Sequence, residues 1–343
     1  MKTVLAIDVG AGTQDILLWE EGTAIENCIK LVLPTRAAVL ARQVEEHTME
    51  GRPLFLEGTV MGSYFLSSAV KKHIKAGYEV YASPSAAKTF RDNLEEVKER
   101  GIMIAESPPR GMHSLALSDI ELEPLFALFR HYGKPQPCRY LVAVQDHGEC
   151  LRGSNRQVRF AYWREFLAGG GTLRSLLFND IPPLFTRMKA IRERLPASEL
   201  MDTGPAALLG ALFDPLVKEK AAGGALVVNM GNQHVLAALM KGEKVLGLLE
   251  HHTCFMTKEK IAGMLGRFAE SRLSHEEVWE EKGHGCVILD EYRSMEPFSF
   301  TAVTGPNRAM VRSLGYYEAA PFGDMMLTGC FGLLGAAGLL DAS

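Results

Sequence analysis

Residues 4–19, VLAIDVGAGTQDILLW, constrain this chain more than any other stretch. They spell an apolar strand, a tight glycine loop and a second apolar strand. The loop carries Asp8, Gly10, Gly12, Thr13, Gln14 and Asp15. Its two glycines let the backbone double back and approach a ligand with no Cβ in the way. Successive exposed N–H groups in such a turn form an anion-binding concavity. Asp8, at the end of the first strand, is placed to orient a metal hydrate or a water beside that anion. The expected ligand is a nucleotide phosphate, with an ordinary glycine hairpin as the plain alternative.

Residues 225–250, ALVVNMGNQHVLAALMKGEKVLGLLE, repeat the pattern: strand, polar residue with glycine two later, strand, Lys241-Gly242 turn, strand. Ile7-Asp8-Val9-Gly10 lines up with Val228-Asn229-Met230-Gly231. Self-similarity of this kind implies a duplicated domain. A third glycine feature, FSFTAVTGPNR at 298–308, runs a strand into Thr304-Gly305-Pro306-Asn307. Backbone amides at such a helix start favour an anion or a polar base edge. Residues 203–213 and 323–340 read as two small-residue helices of similar character, one closing each repeat. Elsewhere strands are expected at 24–33, 53–57, 78–82 and 139–145, and helices at 37–49, 64–75, 86–100 and 184–194. That alternation describes a layered α/β protein.

The chain has 343 residues, more than one small core organises, so two domains are expected. A net charge of −4 argues against a nucleic-acid binder driven by bulk positive charge. No stretch reaches the ~20 apolar residues of a membrane span. The N-terminus enters a strand within three residues, with no room for a secretory signal, and a cytoplasmic location is expected. The six cysteines, at 28, 138, 150, 254, 286 and 330, include no CxxC pair. Neither a disulfide framework nor an iron–sulfur cluster is expected from that spacing.

Together these residues resemble the superfamily of acetate and sugar kinases, heat-shock chaperone ATPases and actin. The order of motifs matches over most of the chain. Residues 7–15 resemble the first phosphate motif and 203–213 the first connecting helix. Residues 227–234 resemble the second phosphate motif, 303–308 the adenosine motif and 323–340 the second connecting helix. NMGNQH, EHHT, GHGC, VTGPNR and PFGDMMLTG are closer still to a family of archaea and anaerobic bacteria labelled as pyruvate formate-lyase activating enzymes. That label implies radical chemistry at a cluster held by three closely spaced cysteines. This sequence has no such motif, so that activity is not carried over.

The resemblance implies two ribonuclease-H-like (actin-like ATPase) domains around an interdomain cleft. The first spans 1–215 with an insertion near 150–200. The second spans 216–343, with its last helix available to pack back on the first. It implies ATP and Mg2+ as cofactors, held by Asp8 as metal ligand and catalytic group. Gly10, Gly12, Thr13 and Gln14 would line one phosphate loop and Asn229, Gly231, Asn232 and Gln233 the other. Gly305, Pro306 and Asn307 would sit near the base or ribose. Asn229 departs from the family's usual Asp, and Gln233 from its usual Thr or Ser. An amide is no general base and a poorer metal partner than a carboxylate.

Asp146, closing the strand at 139–145, is the candidate base for an acceptor hydroxyl, with loop capping as the plainer account. Two histidine-rich segments, Glu250-His251-His252-Thr253-Cys254 and Gly283-His284-Gly285-Cys286, could bind zinc or iron, line a polar pocket, or be structural. Adjacent histidines on a strand point to opposite faces, which weighs against a shared metal. Arg152, Arg156, Arg159 and Arg164 read as a solvated basic face or as steering for an anionic substrate. The first functional expectation is a small-molecule kinase or ATPase. The second is a nucleotide-binding regulator or partner-activating protein with little turnover, and the third a metal-dependent enzyme that lost ATP. The partners expected are a nucleotide and a small-molecule or protein substrate, without nucleic acid or membrane.

Overall fold

A computed structural model describes residues 2–60, 62–150 and 153–340. The chain opens with three strands, β1 (Thr3–Val9), β2 (Thr13–Glu20) and β3 (Ile29–Pro34). Four more follow: β4 (Leu54–Thr59), β5 (Val80–Ala82), β6 (Ile102–Ile104) and β7 (His113–Ser118). β8 (Arg139–Val144) and β9 (Ser198–Met201) complete the first half. The second half holds β10 (Ala225–Met230), β11 (His234–Lys241), β12 (Lys244–His252), β13 (Gly285–Ile288), β14 (Thr301–Thr304) and β15 (Tyr317–Glu318).

The first sheet has the order β3-β2-β1-β8-β9. β1 pairs antiparallel with β2 and β2 with β3, while β8 lies parallel to β1 and β9 parallel to β8. The second sheet has the order β13-β12-β11-β10-β14-β15, with the same directions: β10, β11 and β12 antiparallel, then β14 and β15 parallel to β10. Only β13 is extra. Three antiparallel strands in sequence, followed by two parallel to the first, make a ribonuclease-H-like sheet. The chain therefore holds two such units, the duplicated plan of actin-like ATPases. β1 and β10 sit at the centre of their sheets and are buried on both faces, which explains their unbroken apolar runs.

A third sheet, β6-β5-β4-β7, is wholly parallel and lies between β3 and β8 in the sequence. It has its own core, including Leu40, Leu56, Leu66, Val70, Val80 and Leu117. The sequence reading placed an insertion near 150–200. The independent sheet instead occupies 54–118, and residues 155–201 return to the first sheet through β9. Strand–helix alternation is the same for a continuing layer and for a separate parallel one, so periodicity does not tell them apart. Two local expectations also change. The single helix expected over 86–100 is two short ones, Pro84–Ala87 and Leu94–Glu99, because Ser83 and Asn93 each cap a new start. Residues Ile25–Asn27 form a 3-10 turn ahead of β3.

The helices Thr203–Ala211 and Thr328–Ala336 cross between the two sheets. They match at Thr203/Thr328, Gly204/Gly329, Leu208/Leu333, Leu209/Leu334, Gly210/Gly335 and Ala211/Ala336. Their backbones nearly touch: a Cβ on Gly210 would lie 1.8 Å from the Thr328 carbonyl oxygen, and one on Gly332 1.8 Å from that of Ala206. Leu208, Leu209, Phe331 and Leu333 join residues of both sheets in one core. The crossing thereby fixes one half against the other and sets the width of the cleft. Among the described residues no helix is long and apolar enough to cross a membrane.

Candidate functional site

The β1–β2 and β10–β11 connections are the same turn. Val9 pairs with Gln14 and Met230 with Val235, so each loop has four residues. Gly10 N–H donates to the Thr13 carbonyl at 2.9 Å, and Gly231 N–H to the His234 carbonyl at 2.9 Å. Both loops face one cavity of about 90 Å3, whose lining includes Asp8, Gly10, Thr13, Asn229, Gly231, Asn232, Gln233, Gly305 and Pro306. These nine predicted residues, from three distant segments, converge on it. Gly12 packs against the Asn232 side chain instead. Gln14 is buried outside the cavity lining, and its Oε1 has no hydrogen-bond partner among the described residues.

Asn307 braces the second loop rather than facing the cavity. Its Nδ2 donates to the Gly231 carbonyl at 2.9 Å and its backbone N–H to that of Met230 at 2.9 Å. Thr253 Oγ1 donates to the same Gly231 oxygen at 2.8 Å. Gly305 has φ +92°, and a Cβ there would lie 2.6 Å from Asn229 Oδ1, so the turn requires glycine.

Asp8 Oδ1 accepts from Thr203 Oγ1 at 2.5 Å, and Gly329 packs against Oδ2. Burial pushes its carboxyl up to about 7, against the Thr203 hydrogen bond and with help from the Asp202 charge. Asp15 faces it across the β1–β2 register. Burial, then the Asp8 charge, push Asp15 up to about 8. Its Oδ1 is buried with no hydrogen-bond partner among the described residues. Two close carboxylates, one with an orphaned oxygen, are the donor set a hard divalent cation takes. Mg2+ therefore fits Asp8 and Asp15.

Asp146 does not line this cavity. Its Oδ1 accepts from Gly148 N–H at 2.9 Å, and its Oδ2 from Arg187 and Met188 N–H at 3.0 and 3.1 Å. The carboxylate caps the start of the Thr186–Arg194 helix from a separate segment. Three backbone donors hold Asp146 in place as a cap, the plainer of the two expected accounts, and it lines an adjoining polar cavity with Lys88, His147 and Arg187.

The basic stretch is also corrected. Arg152 lies outside the described residues. Arg159 is 3% exposed rather than solvated. Its Nε reaches Glu250 Oε1 and Oε2 at 2.8 and 2.7 Å, and its Nη1 and Nη2 reach Asp202 at 2.8 and 3.2 Å. Trp163 Nε1 donates to Glu250 Oε2 at 2.9 Å. Burial works against the charge on Glu250, but the Arg159 guanidinium and the neighbouring rings outweigh it and hold the carboxyl well below its usual range. Asp202 also caps the Thr203–Ala211 helix, so Arg159 ties that helix to β12. Arg156 donates to the Gly283 carbonyl and stacks on Trp279.

The histidine segments do not assemble with their cysteines. Cys254 is exposed, and Cys286 Sγ donates to the Leu273 carbonyl with its thiol pushed up to about 12 by burial. Instead His147, His234, His252 and His284 gather. Ring centroids lie 5.1 Å apart for His147–His234, 5.2 Å for His147–His284, 4.9 Å for His234–His284 and 4.6 Å for His252–His284. Neighbouring rings from four separate segments carry no local pattern, so the sequence held no signal for this cluster beyond the histidines themselves.

No curated protein matches this chain. Among solved structures it is similar to the ethanolamine utilization protein EutJ from Carboxydothermus hydrogenoformans, at 10% identity and a TM-score of 0.34 over 97% of this chain and 89% of that one. It is also similar to the Aquifex aeolicus PPX-GPPA enzyme, at 12% identity and a TM-score of 0.30 over 89% of this chain and 68% of that one. A family described as "Putative pyruvate format-lyase activating enzyme (DUF1786)" matches residues 61–310, and the chain belongs to that family.

Proposed function

We propose that this chain binds ATP with Mg2+ between its two hairpin loops and transfers or hydrolyses the terminal phosphoryl group. One observation carries the reading: equivalent loops of the two repeats, closed by the same hydrogen bond, face a single cavity. When bound, the nucleotide supplies the phosphoryl group and Mg2+ neutralises its charge. Asp8 and Asp15 hold the cation. Backbone amides of residues 11–13 and 232–234 cradle the phosphates, and Gly305 with Pro306 walls the ribose or base. A cavity of about 90 Å3 is far below the ~300–1,000 Å3 of ligand pockets. Entry of a nucleotide therefore requires the halves to part, and reclosure expels water. An adjoining cavity of about 530 Å3, lined by Lys88, Arg91 and Arg187 together with Asp92 and Glu96, offers a polar space for an acceptor.

A second reading, a nucleotide-dependent regulator with slow turnover, draws support from two residues. Asn229 stands where Asp8 stands in the other repeat, and Asp146 is committed to capping. Calorimetry with ATP and Mg2+, beside a phosphate-release assay, tests both readings. Wild type is expected to bind Mg-ATP, and Asp8→Ala to weaken binding at least tenfold. Brisk turnover that vanishes in Asp8→Ala selects the enzyme. Binding without turnover, with hydrolysis appearing in Asn229→Asp, selects the regulator. A folded wild type that binds no adenine nucleotide overturns both.

A further inference from the structure

We infer that His147, His234 and His284 form a binding site for one first-row transition-metal ion, Zn2+ in its default form, that bridges the two halves of the molecule. One ring nitrogen from each lies within 4.8 Å of the other two. His284 is 1% exposed. His147 Nε2, His234 Nε2 and His284 Nδ1 are all buried with no hydrogen-bond partner among the described residues. A buried imidazole nitrogen without a partner is costly unless something binds it. A metal ion taken up by the three rings repairs this, since neutral imidazole is a favoured ligand of zinc, iron, copper and nickel.

Two further features bear on this assignment. Gln145 Nε2 lies 2.5 Å from His234 Nδ1. Metal binding through His234 Nε2 requires that amide to turn over, so that its oxygen accepts from Nδ1–H and the Nε2 lone pair is left free, the outer support of a metal-bound histidine. Beside the rings, the Asp202 and Glu250 carboxylates face Arg159, and Arg156 lies against the Gly283 carbonyl, so the surrounding charges balance and the ion's own charge is left to the ligands and the open position.

The site's position gives it a consequence. His147 follows β8 in the first repeat, while His234 belongs to the second phosphate loop and His284 precedes β13. His234 lines the cleft cavity and His147 the larger polar cavity, so the ion would sit in the wall between them. Three protein ligands leave a tetrahedral ion one position for water or an anionic group from the larger cavity. Bonds of about 2.0–2.1 Å hold ligands about 3.3 Å apart. Loading would therefore draw the rings together by up to about 1.5 Å and clamp the second loop to the first half. His252 packs on the cluster as a neighbour and is not one of the three ligands.

The test is a Co2+ titration of the chelator-stripped full chain, without nucleotide, read by visible d–d absorption and elemental analysis. One equivalent in a four-coordinate spectrum, displaced by Zn2+, is the expected result. His147→Ala and His284→Ala should each weaken it at least tenfold. His131→Ala, an exposed histidine elsewhere, should leave it unchanged. Circular dichroism confirms that each variant is folded, and the milder His147→Asn serves where alanine unfolds the chain. Wild-type protein that takes up no stoichiometric Co2+ overturns the assignment by itself. So does equal binding by wild type and a folded His147 variant. With no nucleotide in the assay, either failure leaves the ATP reading untouched.

Discussion

Gly332→Ala isolates the crossing of the two connecting helices. The added methyl would meet the Ala206 carbonyl oxygen at 1.8 Å and the Gly210 nitrogen at 2.9 Å. Ordinary contact begins near 3.4 Å, so the helices must part by about 1.6 Å along that line. Both obstructing atoms are backbone, and neither can rotate away. Overpacking typically costs about 1–3 kcal/mol. A rigid backbone neighbour puts this site at the upper end or beyond. Helix propensity works the other way, favouring alanine by about 0.8–1 kcal/mol. The net expectation is destabilisation of about 2 kcal/mol or more. Gly263→Ala is the internal control: it lies inside the Lys258–Ala269 helix, and nothing lies within 4 Å of its added methyl. It should gain up to about 1 kcal/mol from propensity alone. Urea denaturation of both variants beside wild type decides the matter. If Gly332→Ala is as stable as wild type, the backbone contact does not exist as described. If both variants gain equally, propensity alone governs and the crossing is loose.

Arg159→Met strands Glu250 and Asp202 as buried charges and should cost about 3–5 kcal/mol. Adding Glu250→Gln and Asp202→Asn should recover much of that loss in the same denaturation assay, and no recovery would mean the guanidinium acts by packing alone. Asp15 gives a pH signature in metal-free buffer. Its folded pKa, about 8, lies above its unfolded value, so its contribution is fully present below about pH 4 and is lost as pH rises through 8. Asp15→Asn should therefore melt progressively higher than wild type between pH 4 and 8. A difference that does not vary with pH would show that Asp15 does not titrate there.

The fold was legible because duplication leaves the same signal twice. β1 and β10 each carry a four-residue apolar run for the same reason, central position in a sheet covered on both sides, and each ends in a glycine turn of the same length. The two small-residue helices are legible for a related reason. A backbone-to-backbone crossing tolerates little besides glycine and alanine at its closest points, so the constraint is written directly into composition. The separate sheet at 54–118 was not legible. Its short parallel strands carry the same alternation as the layer around them, and only pairing partners distinguish the two.

The site divides along the same line. The two loops were legible because a four-residue turn of this kind needs glycines at fixed local spacing. Arg159 was misread, and the candidate roles of Asp146 stayed open, because what decides them is a partner far away in sequence. Asp146 is held by amides at 148, 187 and 188, and Arg159 by carboxylates at 202 and 250. The histidines sharpen the point. Cys254 and Cys286 look like ligands beside their histidines, but neither joins the ring cluster. His147, which lies in no histidine-rich segment, stacks on His284 at an interplanar angle of 6°. All these long-range partners meet around β12 and the end of β8, where the two repeats touch. A duplicated fold writes its internal packing locally and twice, whereas contacts between the copies are written once and across the chain. The chemistry that distinguishes this protein from its fold should therefore be sought at that seam, where the Arg159 network and the three imidazoles lie side by side.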